Sequence, residues 1–145
     1  IKSIALIDNQ KVHALIIGNG PERENLKDLA EKLKISERIH FLGQLDEEKK
    51  FQYLSNSDVY VLSSVHEGFG IVLQEAMQVG LPIISTNNGG QTDLIQDGMN
   101  GFLVEYGKLE ELNFALNKII YGRLNKKYHL QEFNINKISN SYLTL

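Results

Sequence analysis

The chain contains no cysteine. Disulfide staples, cysteine-ligated zinc and thiol nucleophiles are thereby excluded, and a reducing compartment fits. No apolar run approaches the ~18–20 residues that a membrane-spanning helix needs. The 15 Lys and Arg residues gather into no dense block and the net charge is −3, so nucleic acid is not an expected partner. No Gly-x4-Gly-Lys-Ser/Thr segment occurs, which removes the P-loop. Gly18-Asn19-Gly20-Pro21-Glu22-Arg23 begins like a dinucleotide fingerprint but carries Arg23 where the third glycine belongs. The four histidines are scattered, which argues against a histidine metal site; His66, beside an acid, reads as a rim residue. What remains is the composition of one globular domain with a real core: 145 residues, 42% hydrophobic and 23% charged.

The hydrophobic pattern switches repeatedly between strand and helix. Ile1, Ile4, Ala5 and Ile7 have helical spacing and read as the end of a helix, which predicts an excised domain. Val12–Ile17 is an apolar run closed by Gly18-Asn19-Gly20, with Pro21 at the expected first position of a helix carrying Leu26, Leu29, Ala30 and Leu33. Arg38–Leu42 and Asp58–Ser63 read as further strands, with Asp46 as N-cap of the helix between them. Another helix is expected from the glycine turn at 68–70 to Val79, then a strand Pro82–Ser85, a helical piece Asp93–Gln96, a strand Gly101–Val104 and a helix through Leu109, Leu112, Leu116 and Ile119. Phe133, Ile135, Ile138 and Tyr142 suggest a final helix in the tail. Alternation at this spacing predicts an α/β fold, a Rossmann-like parallel sheet with helices on both faces. Such sheets bind ligands at the carboxyl ends of their strands, and the glycines at 18–20, 43, 68–70 and 89–90 fall there.

The segment from Glu67 to Glu75 concentrates the chemistry. Gly68 and Gly70 allow close backbone approach, and the amides of Phe69–Val72 open a helix whose first N–H groups have no partner of their own. Such an end attracts phosphate. At about 100° per residue Glu75 falls between Ile71 and Val79, on the apolar arc of the helix. A carboxylate there needs a partner. An internal hydrogen bond or ion pair would satisfy it; so would the two hydroxyls of a ribose, which match its two oxygens. Glu67 taken alone is a cap or solvated loop acid. Together with Glu75 it flanks a turn offering an acid for a sugar, amides for a diphosphate and an acid for a ribose.

The stretch Glu67 to Glu75 resembles the Glu-x7-Glu motif of retaining glycosyltransferases of family 4, also called group 1, in the C-terminal donor-binding half of the GT-B fold. Residues 16–22, 38–43, 58–64, 80–84 and 88–90 resemble the family's other segments in the expected order, so the likeness covers about residues 1–122. It implies that Glu75 binds the ribose hydroxyls and that Glu67 is the catalytic residue, accepting from donor-sugar hydroxyls near the reacting carbon. It implies that the backbone of Gly68, Phe69, Gly70 and Ile71 contacts sugar and diphosphate. Phe41 and the main chain to Gln44 would border the base, while Gly18 and Gly20 keep the phosphate side open. The donor is then a nucleoside diphosphate sugar, with no cofactor and no essential metal; the absence of an Asp-x-Asp pair is consistent with that.

The domain expected from this likeness is 1–122, lacking its first strand, followed by a helical tail at 123–145. The family's upstream Gly-Arg-x-x-x-Lys-Gly segment, whose Arg and Lys stabilise the leaving diphosphate, is absent from the sequence, as is the N-terminal domain that binds a saccharide or lipid-linked acceptor. Ser63 stands where many members have Pro and Asp93 where many have Glu. Family habit implies polysaccharide synthesis in the cytoplasm, with peripheral contact at the inner face of the membrane. A non-catalytic nucleotide-sugar-binding module is the competing reading; it needs Glu75 more than Glu67, so the presence of both acids favours the enzyme. A sugar-nucleotide epimerase would lack the paired-acid turn.

Overall fold

The computed structural model describes residues 1–65 and 70–122. Helix α1 (Lys2–Ala5) leads to strand β1 (Ala14–Ile17), helix α2 (Arg23–Lys32), a 3-10 turn at Ser36–Arg38 and strand β2 (Ile39–Gly43). Then follow α3 (Glu47–Ser55), β3 (Tyr60–Leu62), α4 (Ile71–Gln78), β4 (Ile83–Thr86), α5 (Gln91–Leu94), β5 (Gly101–Val104) and α6 (Leu109–Tyr121). Every element expected within these residues is present, with ends shifted by a few residues. Asp46 caps α3 as its position implied: its Oδ1 accepts from the Lys49 N–H at 2.8 Å. Pro21 does not occupy the first helical position. The Arg23 N–H donates to Gly20 O (3.2 Å), closing a turn over Pro21-Glu22 before the ladder of α2 begins. The helix expected within Phe133–Tyr142 lies outside the described residues.

All strand pairings are parallel. They form two ribbons, β1-β2 and β3-β4-β5, rather than one continuous sheet. Strand β4 shows why the layers form. Ile83 and Ile84 are both fully buried, yet successive side chains on a strand point to opposite faces. Ile84 joins a core with Ile4 of α1, Ala30 of α2 and Ala115, Leu116 and Ile119 of α6. Ile83 joins another with Leu54 of α3, Leu73, Ala76 and Met77 of α4, and Ile95. An uninterrupted apolar run is therefore what a strand covered on both faces requires.

The first core also unites the two ribbons, because Ala14, Ile16 and Phe41 pack against it together with Val59 and Phe102. Buried Arg38 ties the connections: its Nε donates to Val12 O at 2.9 Å and its Nη1 to Ile7 O at 3.3 Å. Among the described residues β1 pairs only with β2 and β3 only with β4, so each retains one open hydrogen-bonding edge.

Candidate functional site

The turn into α4 is built around Gly70. Its φ of 61° and ψ of 29° are left-handed, which glycine adopts without a Cβ penalty. Its carbonyl accepts from the N–H groups of Leu73 (2.9 Å) and Gln74 (3.0 Å), which starts the helical ladder. The N–H groups of Ile71 and Val72 precede that ladder and have no acceptor within the helix. Ile71 is 62% exposed. The segment feeding this turn is anchored from the neighbouring strand: the Thr86 hydroxyl donates to Ser64 O, and buried Gln91 of α5 donates to that hydroxyl at 3.2 Å. Neither Thr86 nor Gln91 stood out in the sequence, because each acts on residues contributed by another element.

Glu75 lies one turn further along α4. The exposure of Ile71 corrects the helical-wheel reading: the buried side of α4 is Leu73, Ala76 and Met77, and Glu75 sits at its border. The carboxylate is nevertheless shielded, with 16% of the side chain exposed, and it does have a charged partner. Lys50 Nζ, from α3, is 2.7 Å from Glu75 Oε1. The same ammonium group lies 3.3 Å from Glu47 Oε1 and 5.7 Å from the centre of the Phe51 ring. The hydrogen bond to Glu75 is the main reason the Lys50 ammonium is held above its usual pKa; burial opposes it and Glu47 adds to it. Sequence reading missed Lys50, since nothing local relates it to an acid 25 positions away.

The glycine rim after β1 and β2 forms a second cluster. The Gly18 N–H donates to Gly43 O at 2.7 Å. Arg23 holds this corner together. Its Nη1 donates to Asn19 Oδ1 at 2.6 Å and its Nη2 to Phe41 O at 3.2 Å, while the guanidinium lies 5.8 Å from the Phe41 ring centre. The residue that breaks the dinucleotide fingerprint thus braces the turn against the β2 backbone. A Cβ added to Gly18 or Gly20 would meet nothing within 4 Å, so the space beside both is open. Phe41 itself packs against the first core. Of the residues singled out in the sequence, His66, Glu67, Gly68 and Phe69 lie outside the described residues. Two hollows, of about 330 and 310 Å³, lie along α6 and include none of the residues singled out for binding.

The model of the family described as glycosyl transferases group 1 matches residues 1–136. The chain belongs to that family. Among curated proteins it is 34% identical over 142 residues to the lipopolysaccharide core biosynthesis glycosyltransferase LpsE of Rhizobium meliloti (strain 1021), covering 92% of this chain and 41% of that relative. It is 42% identical over 93 residues to the N-acetyl-alpha-D-glucosaminyl L-malate synthase of Bacillus anthracis, covering 64% and 24% respectively. Among solved structures, the Anabaena protein HepE in complex with UDP aligns with a TM-score of 0.77 at 26% identity, over 99% of this chain and 44% of that one. The lipopolysaccharide outer core galactosyltransferase WaaB in its apo form aligns with a TM-score of 0.76 at 25% identity, over 97% and 42%. This group 1 chain thus spans less than half the length of each. The expected α/β architecture is that of these GT-B glycosyltransferases. Among the described residues no helix is long and apolar enough to cross a membrane.

Proposed function

We propose that this chain binds a nucleoside diphosphate sugar and forms the donor-binding part of a retaining glycosyltransferase. The observation that carries the reading is Glu75, a shielded carboxylate one turn inside a helix that opens at a left-handed glycine. The family membership and a relative solved with UDP support it. In this reading Glu75 accepts from the ribose hydroxyls, the first amides of α4 face the diphosphate, and the open space beside Gly18 and Gly20 receives the phosphate side. Glu67 holds the sugar hydroxyls beside the reacting carbon. Phe41, with the main chain as far as Gln44, borders the base. The acceptor, a saccharide or a lipid-linked saccharide, is bound by a domain upstream. The chemistry needs no metal, and the enzyme works in the cytoplasm at the inner face of the membrane, in polysaccharide synthesis.

The same proposal gives the open edges of β1 and β3 a role. A parallel strand supplied from upstream would fill both edges and make the two ribbons one sheet, which is the missing first strand of the domain.

The test of the donor site is a comparison of UDP with its 2′,3′-dideoxy analogue by calorimetry. Glu75→Gln should lose ~1–3 kcal/mol of UDP affinity, roughly 5- to 150-fold. The substitution also releases Lys50, whose charge would then attract the diphosphate and mask part of the loss. The analogue removes that ambiguity. The native chain should pay for loss of the diol, and Glu75→Gln should pay little. An equal diol penalty in both would remove the ribose role.

A further inference from the structure

The contact that the sequence did not disclose is the bridge from α3 to α4. We propose that Lys50 is a positioning residue for Glu75, fixing the orientation of the carboxylate that receives the ribose. The inference rests on the donor-site reading above. A carboxylate with 16% of its side chain exposed is costly to keep charged unless it is paired. Lys50 Nζ, 2.7 Å away and itself only 24% exposed along its side chain, supplies that pairing. The contact is to Oε1, at 2.7 Å. In this proposal Oε2 turns to the ribose hydroxyls.

The position of Lys50 is itself determined. Its helix is started by the Asp46 cap, and Phe51 and Leu54 seat that helix on the same core as Leu73 and Ala76 of α4. The ammonium therefore approaches Glu75 from a packed neighbour rather than from a loop. Glu47 also faces Lys50, at 3.3 Å, but its side chain is 85% exposed and water screens it. Lys50 is thus held on the Glu75 side of the site, where its shortest contact is to the carboxylate.

The experiment is a matrix of native chain, Lys50→Met, Lys50→Arg, Glu47→Gln and Glu75→Gln. Each is measured against UDP and 2′,3′-dideoxy-UDP by calorimetry. Lys50→Met is expected to weaken UDP binding roughly three- to tenfold and to leave the dideoxy analogue nearly unaffected. Lys50→Arg should retain most of the UDP affinity, and Glu47→Gln all of it. A loss confined to UDP and spared in the dideoxy analogue is a readout that a purely structural lysine would not produce. Equal weakening of UDP and the analogue would mean that Lys50 acts on the phosphates, and would overturn the positioning role. So would an unchanged diol penalty in Lys50→Met alongside a lost one in Glu75→Gln, a result that leaves the donor site intact. If the native chain pays no diol penalty, the donor-site reading itself fails.

Discussion

Gly70→Val is expected to abolish nucleotide binding and to remove a large part of the stability. Two costs combine. A β-branched residue at φ 61° is held in a sparsely populated region, which costs ~1–3 kcal/mol. A Cβ at Gly70 would also lie 2.8 Å from Leu94 Cδ1, below any normal contact. Relief requires Leu94 of α5 to move, and overpacking of this kind costs another ~1–3 kcal/mol. Against a total stability of ~5–15 kcal/mol, the protein should still fold in the cold with a much lower melting temperature. Binding suffers more, because relieving the backbone strain at residue 70 redirects the Ile71 and Val72 amides. The two causes can be separated. In a Leu94→Ala background the steric part of the Gly70→Val penalty should shrink while the backbone part persists. Gly70→Val with native UDP affinity would show that these amides do not face the phosphates.

The second large effect concerns turnover. If, as we propose, the acceptor is bound by a domain upstream, this chain alone should bind donor weakly and transfer sugar at a rate at least ~10²–10³ below that of a longer protein carrying both parts. A nucleoside diphosphate brings at least two negative charges to a site that already holds Glu75 and, in our proposal, Glu67. The opening of α4 offers ~0.3–1 kcal/mol in compensation at an exposed site and up to ~2 kcal/mol when partly buried. Lys50 adds positive charge, but its shortest contact commits it to Glu75. Negative charge grows on the diphosphate as the sugar leaves, so cations supplied from outside this chain, as we propose, would matter more to the transition state than to the bound ground state. The relatives are more than twice as long as the part matched here, and the resemblance puts an Arg and a Lys in their upstream segment. The check is a side-by-side assay of this chain and the full-length protein with one donor and one acceptor. Comparable turnover would show that the upstream half is dispensable.

Composition, periodicity and turn chemistry already determined much of this protein. Strands β1 to β5 and the helices between them follow from apolar runs, caps and glycine breaks, which are local properties acting over a few residues. The turn at Gly70 and the need of Glu75 for a partner were likewise legible, because glycine spacing and a helical wheel are local too. The identity of that partner was not. Lys50 meets Glu75 only because α3 and α4 share a core, and the sequence between them carries no trace of that contact. The same holds for Thr86 and Gln91 behind Ser64, and for Arg23 across Asn19 and Phe41. The wheel also placed Ile71 on the buried arc, since it counts hydrophobicity and not what stands opposite. At the first turn of α4 nothing covers that side chain enough to bury it. Which faces are covered, which edges stay open and which charges meet are decided by packing between distant elements, and only the tertiary structure contains that information.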